Sequence, residues 1–333
     1  ATQRDTRLLS VAASGVLTLM NLTLKDGYVG GFGGAIFNNS NSSVINLYGV
    51  SLVDNAAEGD GGAIYTNGQL NIVLSSFAGN RALGINGPSQ SPADGYGGAI
   101  KMEGSDKLNL SQTNFSGNIA NRGGGAIAVL GATVMISDTV FNGNIAQASV
   151  EDSGGGALYS NNNGAFSITR TFFNANLTPR GRGGAIYHSL GSAPSIIVDS
   201  AFTANISGDL GQNGQGGAIY NESELDIQRV SFSANIASPG KDQSANDLPG
   251  LGGAILNNHS ALLKLTNSSL FANLAPKGKG GALANIDTPN PVSSDSTVEM
   301  RNNTFSNNGA DSGGARYNEE KIATSETITQ AGT

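Results

Sequence analysis

Two short strings, GGA and FxxN, recur down the whole chain, and that recurrence limits the fold more than any other feature. GGA begins at Gly33, Gly61, Gly97, Gly124, Gly155, Gly183, Gly216, Gly252, Gly280 and Gly313. An Ile or Leu follows every copy but the last, where Arg316 stands. The steps between copies are 28, 36, 27, 31, 28, 33, 36, 28 and 33 residues. A period of this size marks an array of small units that bury their apolar faces only by stacking on one another.

Aligning the copies on FxxN exposes the unit. Its apolar position is Leu24, Leu52, Phe77, Phe115, Phe141, Phe173, Phe202, Phe232, Leu270 and Phe305. Three residues later come Gly27 and then Asn55, Asn80, Asn118, Asn144, Asn176, Asn205, Asn235, Asn273 and Asn308. Seven and five residues before the apolar position lie further hydrophobics, such as Leu108 with Leu110 and Val134 with Ile136. This alternation marks strands with one buried face. The spacing from GGA to the apolar position stays at 16 to 19 residues except in the last copy, whereas the stretch after FxxN varies. Each repeat is therefore a rigid frame of short strands plus one loop that tolerates insertion (81–96, 145–153, 206–215, 236–251). The expected architecture is all-β, a solenoid of about ten coils stacked about 4.8 Å apart, some 45–50 Å long. One domain spans 1–318, and 319–333 forms a polar tail or capping segment. Identical residues then lie over one another: Phe on Phe in the core, and Asn on Asn at a turn, where each amide both donates and accepts.

Composition removes several classes. Only 13% of residues are charged and the net charge is −7, with the basic residues scattered, so no nucleic-acid partner is expected. There is no cysteine, which excludes disulfides and thiolate metal sites. No apolar run reaches the roughly 20 residues of a membrane helix. The opening "ATQRDTRLLSVAASG" lacks the form of a signal peptide, so the chain reads as a mature form or a fragment.

Candidate chemistry is sparse. Asp138, Arg170, Asp199 and Arg229 stand three residues before the apolar position in four consecutive repeats, and their alternating sign reads as an ion ladder rather than a calcium or catalytic cluster. "ESELD" (Glu222, Glu224, Asp226) is the densest acidic group and reads as solvated surface. His188 and His259 sit in repeats too far apart to share a metal. The expectation is no catalytic residue, no metal and no cofactor. The residue after GGAI or GGAL faces away from the core by alternation. Tyr159, Tyr187 and Tyr220 are therefore expected as an exposed stripe, either packing across strands or binding a ligand such as a sugar ring.

GGAI paired with FxxN resembles the signature of the polymorphic outer-membrane proteins of chlamydiae. "LTLMNLTLKDGYVGGFGGAIFNN" is also similar to a wider set of bacterial surface proteins with these repeats, over roughly residues 15 to 318. The resemblance implies a right-handed parallel β-helix, export to the cell surface or outer membrane, and a role in adhesion. Chlamydial members usually carry cysteines and end in a membrane barrel, and this chain has neither feature in its 333 residues. The reading favours a non-enzymatic surface or secreted β-helix, an adhesin or structural stalk, whose partner is a glycan or a cell-surface protein. The alternative is a polysaccharide-active lyase or glycoside hydrolase on the same fold. Residues 1–12 are expected to pair on one side only, leaving that end for further protein or end-to-end association. The charged "RYNEEK" run is expected to close the other end.

Overall fold

A computed structural model describes residues 5–85, 95–104, 106–147, 154–208, 212–241, 247–286, 296–319, 322–324 and 330–331. Parts of the variable loops (86–94, 148–153, 209–211 and 242–246) lie outside the described residues.

The chain winds as a right-handed parallel β-helix. One coil, taken as an example, runs Ile127–Leu130, Thr133–Ser137, Val140–Asn142 and Ile145–Ala146, and we call the four sheets built from these positions A, B, C and D. Sheets A, B and C each hold eleven strands and sheet D ten, every strand pairing with its counterparts one coil before and after. The register never slips by a residue along the FxxN position: Leu52, Phe77, Phe115, Phe141, Phe173, Phe202 and Phe232 are successive partners. Ten coils carry a fourth strand, two residues long except at Leu274–Lys279 and Gly309–Ser312. Arg81–Ala82 and its equivalents follow the FxxN turn before the chain leaves for the loop.

Why the chain bends where it does follows from backbone sterics. Sheet C strands are only three residues long, and each is flanked by left-handed residues. One column of positive φ holds Leu74, Gln112, Asp138, Arg170, Asp199 and Arg229; the other holds Gly79, Gly117, Gly143, Ala175, Ala204 and Ala234. These corners accept side chains at a modest strain, and a Cβ on Gly143 would meet nothing within 4 Å. The GG corner is different. Gly124 has φ 67° and its Cβ would run into the carbonyl of Ile127, while one on Gly125 would overlap the carbonyl oxygen of Gly156 in the next coil. The first glycine is required by its own turn and the second by its neighbour, so the pair recurs as a unit.

Between the sheets the core is a single column. Phe77, Phe115, Phe141, Phe173, Phe202 and Phe232 stack with centroids 4.5–5.0 Å apart and planes within 12° of parallel. Beside them the Asn residues of FxxN from Asn55 to Asn273 are fully buried, and the last, Asn308, is half-buried. The Oδ1 of Asn144 accepts both the Asn118 backbone N–H (3.1 Å) and the Asn118 Nδ2 (2.9 Å). The Asn144 Nδ2 in turn donates to Asn176 Oδ1 (3.0 Å) and to the carbonyl of Phe115 (3.0 Å). The pattern repeats from Asn55 to Asn308, so a buried amide has its polar groups met and repays its desolvation at every rung.

At the first coil, Leu9–Ser10 pairs with Ile36–Phe37 on one side. The Thr6 N–H donates to the Tyr28 carbonyl, and Arg7 donates to the carbonyls of Phe32 and Gly33. Leu9, Val11, Leu17, Leu19 and Leu24 are only partly buried there. At the other end Ile322–Thr324 joins sheet B and Gln330–Ala331 joins sheet C, so the segment read as a polar tail contributes strands of its own.

Candidate functional site

The two broad faces of the helix that carry most outward side chains are built alike and differ in what lies over them. On sheet A the outward row is Tyr65, Lys101, Ala128, Tyr159, Tyr187, Tyr220, Leu256 and Ala284. Alternation does turn these side chains away from the core. They are not exposed, however: Tyr159 and Tyr187 are 2% accessible and Tyr220 is 0%. The expectation of a solvent-facing tyrosine stripe is thus corrected. The three tyrosines form a second apolar cluster with Ala128, Leu256, Ala284 and Ile286, against which Tyr96, Leu251 and Tyr317 pack. The reason is positional. The chain returning from each variable loop crosses this face just before the GG pair, and there Gly154, Arg182, Gln215, Leu251 and Lys279 form a ladder of isolated bridges. No sugar ring can stack on rings so enclosed.

Under that cover sit charges that hydropathy alone does not reveal. Glu222, read from "ESELD" as solvated surface, is 5% exposed, and that expectation too is corrected. Being two residues beyond Tyr220, it shares the covered side of the strand. Its Oε2 accepts the Tyr187 hydroxyl (2.9 Å) and the Leu190 N–H (3.2 Å), and its Oε1 accepts the Tyr220 hydroxyl (2.8 Å). Arg182 Nη1 lies 3.7 Å and His259 Nδ1 2.6 Å from the same Oε1. Burial pushes the Glu222 carboxyl up, but His259, Arg182 and the Tyr220 hydroxyl outweigh it and hold the group below its ordinary range. Burial raises the phenols of Tyr187 and Tyr220, and the adjoining carboxylate raises them further. A second such group surrounds Lys101, only 3% exposed, with Asp60 at 3.7 Å and Glu103 at 3.6 Å. Asp60 also accepts the N–H groups of Gly95 and Tyr96 (2.7 and 2.8 Å) where a long loop re-enters the frame. Both groups fasten returning loops to the coil.

The remaining sequence candidates fall where their chemistry suggests. Arg170 grips Asp138 through two hydrogen bonds (2.6 and 2.8 Å), and Arg229 grips Asp199 likewise (2.6 and 3.0 Å). Both pairs are exposed, and each arginine holds its aspartate below the usual carboxylate range. Glu224 pairs with Lys264 at 2.9 Å and Asp226 accepts from Gln228 at 2.8 Å. His188 is buried against Asn221 (2.9 Å) and the Ala193 carbonyl (3.1 Å), and burial lowers its pKa. Among the described residues no group of three or more His, Cys, Asp or Glu side chains is arranged to hold a metal ion. A Tyr-x-Glu pair two residues apart on one strand was the available signal for the Glu222 group, and Tyr317-x-Glu319 repeats it (2.7 Å).

Sheet B is open by contrast. Its outward middle row runs Thr18, Asn46, Asn71, Asn109, Met135, Ser167. A shallow groove of about 510 Å³ lies along it.

The repeat that builds this register-locked parallel coil is similar to that of bacterial outer-membrane and cell-surface proteins. In particular, residues 112–129 and 138–161 match the Chlamydia polymorphic membrane protein (Chlamydia_PMP) repeat. Those stretches contain Phe115, Asn118, the GGAI at Gly124, Phe141, Asn144 and the GGAL at Gly155. The chain is also similar to the "Probable autotransporter YfaL" of Escherichia coli (strain K12), 33% identical over 131 aligned positions covering 34% of this chain. The match takes in 10% of that relative's length. No solved structure matches the chain.

Proposed function

We propose that this β-helix is the stalk of a bacterial surface adhesin, presenting recognition elements along its flank to a glycan or a cell-surface protein. The observation that carries the reading is the division of labour within each coil. Stacked Phe and Asn columns fix the frame, while sequence variation concentrates in the loops after FxxN and in the outward rows of the sheets. Recognition on a rigid scaffold is usually placed in such loops and faces. The lyase or hydrolase alternative would need carboxylates opening into a groove. The buried Glu222 is instead consumed by two tyrosines, an arginine and a histidine, and the sheet B groove is lined by no carboxylate among the described residues. The test is attachment of the purified, labelled chain to cultured cell layers, with variants in which 86–94 or 242–246 is replaced by a short Gly-Ser link. Saturable attachment that falls in a loop or face variant of unchanged melting temperature is expected. Absence of attachment by the parent chain overturns the reading.

A further inference from the structure

We propose that the open face of sheet B is a binding site for a neutral oligosaccharide laid parallel to the helix axis. The inference rests on the adhesin reading and specifies its ligand chemistry. The groove lies between two outward rows, Asn71–Asn109–Met135–Ser167 and Tyr48–Val73–Ser111–Ser137–Thr169, each contributing one residue per coil. Five consecutive coils at strand spacing give it a length of about 20 Å.

Charge separates this groove from its neighbours. The groove at the corner of sheets B and C is lined by Asp199 and Arg229, and the one near the first coils by Asp26, Asp54 and Arg81. The sheet B groove holds amides, hydroxyls, a thioether and one phenol. With no cation, it offers nothing to nucleic acid, sialylated or sulfated chains. A peptide adding to a sheet needs a free backbone edge, whereas this site is the face of a sheet whose backbone groups are already paired between coils.

What the groove does offer suits a sugar. Asn109 Nδ2 donates to Asn71 Oδ1 (2.8 Å), Asn71 Nδ2 to Asn46 Oδ1 (2.8 Å), and Asn46 Nδ2 to the Thr18 hydroxyl (3.3 Å). The ladder orients three amides and leaves Asn109 Oδ1 without a donor, because the next position in the row is Met135. Met135 is 54% and Tyr48 39% exposed. Their apolar surfaces can take the C–H face of a pyranose, as aromatic and thioether groups do. Each coil supplies one residue to each row, a spacing close to the length of one sugar unit in an extended chain, with apolar surface at the Tyr48 and Met135 coils and hydroxyls or amides at most of the others. Successive units would therefore meet successive coils.

The experiment is an array of neutral hexose and N-acetylhexosamine oligosaccharides of one to six units, with sialylated and sulfated chains as the counter-set, probed with the parent chain, Asn109→Ala and Met135→Glu. The two variants should melt like the parent, since both side chains lie outside the core. Retention of neutral chains that strengthens up to four or five units, and falls at least tenfold in both variants, is expected. Retention only of anionic chains, retention unaltered in both variants, or no retention of any neutral chain overturns the proposal. Cell attachment measured on the same variants distinguishes the two readings. Attachment by a parent chain that retains no neutral sugar leaves the adhesin standing and removes this site, absence of both in the parent removes both, and loss of both only in the variants supports both.

Discussion

Sheets A and B are built from the same alternation, yet their outward rows live in opposite surroundings. On sheet A the outward residues Tyr159, Tyr187 and Tyr220 are buried with Glu222 among them; on sheet B the outward Met135 is 54% exposed and Tyr48 39%. Strand periodicity fixes the side a residue takes and leaves open what covers that side. Coverage is decided by where the chain spends its insertions. Most follow FxxN and rejoin the frame at the GG pair, the last FxxN copy's falling between its sheet A and sheet B strands, and the described segments that return from them lie along sheet A rather than sheet B. The difference predicts that polar substitutions on the two faces act through different physics, and each prediction below tries to break that contrast.

The largest effect is expected at the corner feeding the covered sheet. Gly125→Ala places a methyl against the Gly156 carbonyl of the next coil, and should lower stability by more than about 3 kcal/mol. Gly143→Ala, at a left-handed corner on the open side where nothing lies within 4 Å, should alter it by no more than about 1 kcal/mol. Denaturant melts of the two variants decide; equal shifts would mean the GG pair is not a packing requirement.

Next in size is Glu222→Gln. It leaves Arg182 and His259 under the cover without their carboxylate, and should cost about 3–5 kcal/mol. Glu224→Gln, whose partner Lys264 is half exposed, should cost about 0–1 kcal/mol. If the two cost the same, the covered face is not sealed.

The same pair sharpens in pH. Glu222 titrates below its ordinary value in the fold, so its contribution is present above the unfolded pKa and is lost as pH falls from about the ordinary 4.5 through the folded value. Tyr187 and Tyr220 are raised in the fold, so their contribution holds below 10 and fades as pH rises beyond it. A melting profile of Glu222→Gln should therefore be flatter than the parent's on the acid side, and Tyr220→Phe flatter on the alkaline side. An unchanged acid limb would remove Glu222 from the account of stability.

Two asparagines give the smallest test. Asn144→Ala orphans the Asn118 amide and the Phe115 carbonyl inside the fold and should cost about 1–3 kcal/mol. Asn109→Ala breaks one half-exposed rung on sheet B and should cost about 0.5 kcal/mol or less, as surface substitutions do. A reversed order would mean that the open face, not the core turn, ties the coils together.

The legibility of the chain follows the same division. Phe141 and Asn144 could be placed from spacing alone, because a stacked fold forces identical residues into identical positions and the repetition averages away chance. The Asp138–Arg170 and Asp199–Arg229 pairs were readable for the same reason, each lying in its column. Tyr187 and Glu222 were not. Their partners Arg182 and His259 come from a returning segment and from a later turn; Arg182 stands just before a GG pair, a place where other copies carry Gly154, Gln215 or Leu251, so no column of like residues marks it. A hydropathy reading also assigns a Glu-rich string to water, since it cannot register that two phenols, a guanidinium and an imidazole replace that water. The fourth strand, at Ile145–Ala146 and its equivalents, is too short to show any alternation.

The column of buried asparagines has a direction. Every side-chain amide from Asn55 to Asn273 sends its Nδ2 toward the later coil and turns its Oδ1 toward the earlier one. Strand hydrogen bonds run both ways and largely cancel, so this row of amides is an uncancelled chain of aligned dipoles, each polarising the next. The axis of the helix therefore carries a vector, negative toward the first coils and positive toward the last, as an α-helix does by other means. Gly27 fits that vector. It donates its backbone N–H to Asn55 Oδ1 at 2.9 Å and has no side-chain oxygen with which to accept from an earlier rung, so a glycine can serve only at the rung where such a chain of dipoles starts.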